Sequence, residues 1–168
     1  FDLIHIATAT VPGFNLLDTA GGLINSNSWY KGRCTHSGDY FFSIVSGSTS
    51  TYEFDNFFED INFETCKGGG IRGLGVQSLG AANVLLYDTA SATNDFIPIG
   101  ESTHVSPLKS RHITLSNVAN RNTTYTGGAV DINLVSGEVD TCTIIGGDNA
   151  VLTGYTVDVG NNLGVIIL

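Results

Sequence analysis

Residues 60–75 of the chain, DINFETCKGGGIRGLG, place a short strand-like run directly before a glycine-rich stretch. Gly68, Gly70 and Gly73 have the spacing of the dinucleotide-binding pattern G-x-G-x-x-G, and Asp88 stands where the ribose-binding acid of that pattern is expected. That pattern also needs a helix after its glycines, but the nine residues after Gly73 contain two more glycines, each costing about 1 kcal/mol in a helix interior. The stretch therefore predicts a corner between two strands, and no cofactor is expected.

Short β-type runs fill the rest of the chain. Examples are YFFSIV at 40–45, NVLLYD at 83–88 and RHITLSNV at 111–118, and such runs are bounded by Gly, Asn, Asp or Ser. Uninterrupted helical periodicity of apolar residues is missing from every window of about 12 residues. These patterns predict an all-β chain.

The spacing of similar strands indicates how they are arranged. The first apolar residues of the runs INF, NVL, ITL and INL are Ile61, Val84, Ile113 and Ile132. They follow one another by 23, 29 and 19 positions. Repeats of roughly 20 to 50 residues are typical of solenoids. The dipeptides N-G and D-G, which mark tight antiparallel hairpins, do not occur. We predict a right-handed parallel β-helix; a jelly-roll or β-sandwich virion domain is the alternative.

In its residue pattern, the segment 54–168 resembles the parallel β-helix proteins that include pectate-lyase-like enzymes and bacteriophage tailspikes. Short strands of the xIxF and xVxL type, glycine-rich corners and few charges carry the resemblance. It implies β-helix coils over 54–168, with 1–53 as a less regular β segment or side loop. The chain contains no Met, so it is expected to be a piece of a longer polypeptide.

The same resemblance implies a role and a location. The expected protein is a module of a phage tailspike or tail fibre on the virion surface or otherwise extracellular. It is expected to form a homotrimer with other virion proteins nearby and to bind host cell-surface polysaccharide. Two alternatives remain open: a polysaccharide hydrolase or lyase on the same fold, and a structural capsid or fibre-head domain.

Charge and hydropathy argue against two classes of partner. Sixteen acidic residues against seven basic ones give a formal net charge of -9, which repels phosphate backbones. The sequence has no apolar run near the roughly 18 to 20 residues that cross a bilayer. We expect no nucleic-acid partner and no membrane insertion. With only 14% charged residues, the polar surface is mainly hydroxyl and amide, which suits a glycan.

Carboxylates are densest in YEFDNFFEDINFE at 52–64. Glycoside hydrolysis uses two carboxyl groups about 5 to 9.5 Å apart, one of them protonated as the acid. In stacked coils the second group is expected one coil away, so Glu64 and Asp88 are the candidate catalytic pair. The other interpretation is that these acids only keep a corner of the fold solvated.

Aromatic rings and one arginine are the candidate ligand-binding residues. Trp29 and Tyr30 lie in a polar Asn/Ser/Gly context, and Tyr52 is a further candidate, although a core position is the other interpretation of Trp29. Arg72 is expected either to pair with a carboxylate such as Glu64 or to face a ligand.

Cys34, Cys66 and Cys142 show no C-x-x-C spacing and have no nearby histidine pair. We predict that they are small buried side chains and that the protein has no metal site; a disulfide or a metal set is the other interpretation, and the sequence leaves cysteine pairing open.

Overall fold

The structure is a computed structural model of the chain. It describes residues 2–7, 14–18, 26–36, 38–46, 53–87, 89, 92–101, 109–121, 123–134, 139, 141–145, 157–158 and 165–167.

The described part of the chain contains thirteen strands and no helix. The odd-numbered strands are β1 (Asp2–Ala7), β3 (Ser28–Thr35), β5 (Glu53–Glu64), β7 (Val76–Tyr87), β9 (Ile113–Arg121), β11 (Cys142–Ile145) and β13 (Val165–Ile167). The even-numbered strands are β2 (Phe14–Asp18), β4 (Phe42–Ser46), β6 (Ile71–Leu74), β8 (Ile97–Gly100), β10 (Ile132–Asn133) and β12 (Val157–Asp158).

Successive strands belong alternately to two sheets. The odd strands form a seven-stranded sheet in chain order, and the even strands form a six-stranded sheet, also in chain order. Within the described residues all strand pairs are parallel. The prediction of an all-β chain with parallel strands is therefore confirmed. The jelly-roll or β-sandwich alternative does not fit, because those folds are built from antiparallel sheets.

The register agrees with the predicted spacing at one step and differs at two. Ile61 pairs with Val84, as expected. Val84, however, pairs with Val118 rather than with Ile113, which lies five residues earlier in β9. Ile132 belongs to β10 of the other sheet. Similar three-residue sequences occur in both sheets, so sequence similarity alone does not identify which strands pair.

The strands before the predicted boundary at residue 53 belong to the same two sheets as the strands after it. Residues 1–53 contribute β1 to β4, and these strands pair in the same two sheets as the strands of 54–168. The boundary itself stays a prediction.

Left-handed residues interrupt the long odd strands at regular positions. Ten of the described residues other than glycine have φ between 49° and 59°, and they fall at equivalent positions in or next to successive odd strands. One set is Ser26, Asp55, Ser78 and His112, the second is Lys31, Asp60, Asn83 and Asn117, and the third is His36 and Thr65. Along each strand the sets are five residues apart. Each such residue resets the inward and outward alternation of the strand.

The second set carries a ladder of side-chain hydrogen bonds. Asn83 Nδ2 donates to Asp60 Oδ1 over 3.0 Å, and Asn117 Nδ2 donates to Asn83 Oδ1 over 2.7 Å. Asn and Asp tolerate the left-handed region better than most residues. The ladder therefore aligns β5, β7 and β9 along an exposed line of the sheet.

The core lies between the inward residues of the two sheets. Phe58, Ile61 and Phe63 of β5 are buried, and their equivalents in β7 are Ala81, Val84 and Leu86. The even strands supply the opposite wall, which consists of Phe42, Ile44, Ile71, Ile97, Ile99 and Ile132. Burying apolar area of this kind contributes about 25 cal/mol per Å² and is the main favourable term in folding.

Three glycines, Gly68 to Gly70, form the corner between β5 and β6, as predicted. A Cβ on Gly68 would lie 2.2 Å from the backbone of Asp39, and a Cβ on Gly70 would lie 2.2 Å from the ring of Phe96. The neighbouring turns therefore approach so closely that side chains do not fit between them. The glycines serve packing at a sheet corner, and the dinucleotide-type spacing is coincidental.

Candidate functional site

A polar cleft of about 300 Å³ lies at the corner where the chain passes from the odd sheet to the even sheet. We call it the corner cleft. Its lining residues are Tyr40, Thr93, Asn94, Asp95, Gly127, Gly128, Ala129 and Asn133. Its size is at the lower end of the range for small-ligand sites.

Backbone hydrogen bonds stack the turns that build the corner cleft. The Gly70 amide donates to the Phe96 carbonyl over 2.9 Å, and the Phe96 amide donates to the Val130 carbonyl over 3.0 Å. The bonds from Ala92 N to Thr124 O (2.8 Å) and from Thr126 N to Ala92 O (2.9 Å) extend this stack. The cleft therefore rests on three successive turns whose register is fixed by main-chain bonds.

Asp95 is the central acidic group of the corner cleft. Its Oδ1 accepts from the Val130 amide over 2.8 Å, and its Oδ2 accepts from Asn133 Nδ2 over 2.7 Å. Asn94, the preceding residue, donates through Nδ2 to the Gly68 carbonyl over 3.3 Å. Both carboxylate oxygens are thus oriented by neighbours, which fixes the position of the negative charge.

Tyr40 is a buried residue that lines part of the corner cleft. The Arg72 guanidinium carbon lies 4.9 Å from the centre of its ring, which is a cation–π contact. Arg72 also donates from Nε and Nη2 to Ser43 Oγ over 3.1 and 2.8 Å. Burial, with a smaller contribution from the negative charge of Asp95, raises the pKa of Tyr40 to about 12. The phenol therefore stays neutral at physiological pH.

Arg72 was predicted either to pair with Glu64 or to face a ligand. The partner of Glu64 is Arg33, whose guanidinium donates to Oε2. Arg72 instead contacts a residue of the corner cleft through Tyr40. Its ligand-binding role stays a prediction, now with a specific location.

Glu64 has an environment that favours its charged form. The hydrogen bond from Arg33 lowers the pKa of Glu64 and raises the pKa of Arg33. A glycosidase acid needs the opposite shift, since it must hold a proton near neutral pH. Glu64 is thus better suited to stay ionised than to act as the acid of the pair. Asp88, its predicted partner, lies outside the described residues.

The predicted aromatic residues separate into three cases. Trp29 is 3% exposed and packs between Phe42, with ring centres 4.9 Å apart, and Phe58, at 6.2 Å. Its assignment to an exposed glycan surface is therefore wrong; Trp29 faces inward on β3 and belongs to the core. Tyr30, the next residue, points outward and is 36% exposed. Tyr52 lies outside the described residues.

The acidic run at 52–64 is solvated in part, in agreement with the simpler interpretation. Asp55 and Asp60 are exposed, and both have a left-handed backbone, with φ of 49° and 56°. Strict strand alternation does not hold across these residues, so spacing along the run does not place two carboxylates on one face.

The sequence contained a weak signal for the corner cleft. Asp95 precedes β8 and Asn133 lies in β10, and these strands pair in register through Ile97 and Ile132. Small polar residues beside two paired strands indicate a shared polar edge. That pairing crosses 35 residues, and the similarity of the INL and INF triplets concealed it.

Cysteine burial agrees with the sequence: all three cysteines are buried. Among the described residues, no group of three His, Cys, Asp or Glu side chains is arranged to hold a metal ion. The described part of the chain likewise has no helix with the length and apolar character of a membrane span. Comparison with protein-family models, curated proteins and solved structures finds no match for this chain.

Proposed function

We propose that the chain is a segment of a right-handed parallel β-helix that binds polysaccharide at the corner cleft, as a module of a tailspike-like or tail-fibre-like virion surface protein. The observation that carries the binding proposal is the Asp95 carboxylate, held by the Val130 amide and Asn133 beside the ring of Tyr40.

Topology supports the β-helix. Two parallel sheets receive strands alternately, so each turn of the chain adds one strand to each sheet. Connections between parallel strands of one sheet are right-handed in about 98% of cases. A right-handed coil is therefore the arrangement that this alternation favours.

The chemistry of the corner cleft suits a neutral sugar. Sugar hydroxyls both donate and accept hydrogen bonds, and Asn94, Asp95 and Asn133 offer amide donors and carboxylate or carbonyl acceptors. Tyr40 lines the cleft as a neutral phenol. Because the net charge of the chain is -9, a strongly anionic glycan is a less suitable ligand.

A matched pair of tryptophan substitutions tests the binding site. Thr93 is exposed and lines the cleft, whereas Thr114 is exposed on β9 of the odd sheet. Binding of wild-type protein to a panel of bacterial surface oligosaccharides is measured by glycan array and titration calorimetry. We expect Thr93→Trp to weaken binding by roughly tenfold or more, about 1.4 kcal/mol, and Thr114→Trp to leave it unchanged. Equal affinities of the two variants, or a wild type that binds no oligosaccharide, would refute the proposal.

The virion assignment has a separate test. A tailspike-type module is expected to assemble as a trimer, so light scattering at micromolar concentration should give three times the monomer mass. A stable monomer would count against the tailspike assignment and leave the sugar-binding test unaffected.

The same oligosaccharides distinguish binding from depolymerisation. A module that only binds leaves the length of its ligand unchanged, as measured by size-exclusion chromatography. If the wild type shortens the polysaccharide and Glu64→Gln or Asp88→Asn removes that activity, the hydrolase or lyase alternative holds. If shortening persists in both variants, the catalytic groups lie elsewhere. A structural capsid or fibre-head domain would show neither binding nor cleavage.

A further inference from the structure

Two cysteines from neighbouring turns lie beside each other in the core. Cys34 is near the end of β3, and Cys66 follows the end of β5. Their Sγ atoms are 3.1 Å apart, although the residues are 32 positions apart in the chain. Both side chains are almost fully buried.

We propose that Cys34 and Cys66 form a disulfide when the chain folds under oxidising conditions, and that this bond closes one whole turn of the chain into a covalent ring. The inference does not depend on the proposed function. It concerns the end of β3 and the turn after β5, and neither cysteine lines the corner cleft.

The geometry requires only a small movement. A disulfide has sulfurs about 2.05 Å apart, so the two Sγ atoms must approach by about 1 Å. The Cys66 Sγ atom also lies 3.7 Å from the Cys34 carbonyl oxygen, so this side chain points at the neighbouring turn. Cys34 is paired with Phe63, three residues before Cys66, so both cysteines lie at the same corner.

The chemical step needs an external oxidant of the disulfide class, such as oxidised glutathione. A thiolate of one cysteine attacks the oxidant and releases one glutathione thiol, which leaves a mixed disulfide. The second thiolate then attacks the protein-bound sulfur and releases the second glutathione thiol. Two protein thiols are oxidised and one disulfide oxidant is reduced to two thiols. Because the sulfurs are buried in the folded chain, the exchange takes place during folding.

Cys142 provides an internal control. It lies in β11, which is four strands from β3 in the order of the odd sheet. At about 4.8 Å per strand this is about 19 Å, far beyond the reach of a disulfide. Burial raises the pKa of Cys142 to about 12, which keeps it as an unreactive thiol.

Thiol counting tests the proposal directly. The reduced chain is refolded with oxidised and reduced glutathione, then denatured, alkylated and weighed by mass spectrometry. We expect one alkylated thiol in the wild type, none in Cys142→Ser, and two in Cys34→Ser. Peptide mapping of the wild type should give the Cys34–Cys66 linked peptide, a result that requires no variant to fold.

Thermal unfolding provides the second measurement. Closing a ring of this length should raise the unfolding midpoint of oxidised wild type by roughly 7–15 °C over the dithiothreitol-treated protein. Cys142→Ser should show the same shift, and Cys66→Ser should show none. Three alkylated thiols in correctly folded, oxidised wild type, or a bridge that includes Cys142, would overturn the proposal.

Discussion

Replacing Gly68 with alanine tests whether the glycine corner exists because neighbouring turns approach too closely for a side chain. In the folded chain a Cβ at this position would lie 2.2 Å from the N and Cα atoms of Asp39. An ordinary contact begins near 3.4 Å, so the two turns must separate by about 1.2 Å. Unlike a side-chain tip, the Asp39 backbone is tied into the stack and cannot rotate away.

Hydrogen bonds across this interface set the magnitude. The bonds from His36 N to Glu64 O (3.0 Å) and from Phe42 N to Gly70 O (2.9 Å) join the same two turns. Adding about 1.2 Å takes both beyond hydrogen-bonding distance, and each contributes about 0.5–1.5 kcal/mol. With the packing lost around them, Gly68→Ala should lower the free energy of unfolding by about 3 kcal/mol.

Gly128→Ala is the matched control. A Cβ there meets nothing within 4 Å, but its φ is +84°, so the substitution tests backbone strain without a clash. Strain of about 1–2 kcal/mol, offset by about 0.4–1 kcal/mol from the unfolded chain, leaves a loss of about 1 kcal/mol. Urea unfolding followed by far-ultraviolet circular dichroism measures both variants. If Gly68→Ala is as stable as Gly128→Ala, the close-approach explanation is wrong.

Four further substitutions at three positions probe the ladder and two ionisable groups. Asn83→Ala removes both of its ladder bonds and should cost about 1–3 kcal/mol in urea unfolding, whereas Asn83→Gly, which tolerates the left-handed backbone, should cost less; equal costs would contradict the backbone argument. Since Arg33 lowers the pKa of Glu64 below its ordinary 4.5, their bond stabilises the fold above that pH and is lost on acidification. The urea midpoint of wild type should therefore exceed that of Glu64→Gln near neutral pH, and the gap should close below pH 4.5; a constant gap would exclude the ion pair as its cause. Burial disfavours the ionised phenolate and raises the pKa of Tyr40 from 10 to about 12. The contribution of the neutral phenol to the free energy of unfolding is therefore fully present below pH 10 and is lost as the pH rises through 12. Ultraviolet titration of Tyr40→Phe should lack one late-ionising phenol, and an unchanged curve would place that phenol elsewhere.

Fold class was readable from the sequence because it depends on local chemistry. Strand-forming residues bounded by glycine and asparagine predict an all-β chain, and the glycines at 68 and 70 predict a corner, whatever lies around them. The pairing of Ile61 with Val84 was also accessible, because the two runs share one position in the coil. Handedness, by contrast, comes from general chirality and has no signature in particular residues.

Site residues were harder to predict because they depend on which turns become neighbours. Trp29 follows polar residues in the chain, yet its alternation along β3 turns it inward against Phe42 and Phe58. Glu64 forms an ion pair with Arg33 from the preceding turn, a contact across 31 positions. Asp95 gains its partners from across 35 and 38 positions. Connections of unequal length set these distances, and composition does not encode them.

The five-residue interval between left-handed positions explains how such unequal turns keep one register. In β5 these positions are Asp55 and Asp60, and the inward residues Phe58, Ile61 and Phe63 are spaced around the second of them. A slip of one residue would move Ile61 to φ near +56°, where a β-branched residue is strongly disfavoured, and would turn the aromatic residues outward. The left-handed positions thus fix the register from the outside while the core fixes it from the inside. That double constraint leaves the connections free to vary in length, and two of them supply residues 93–95 and 127–129 of the corner cleft.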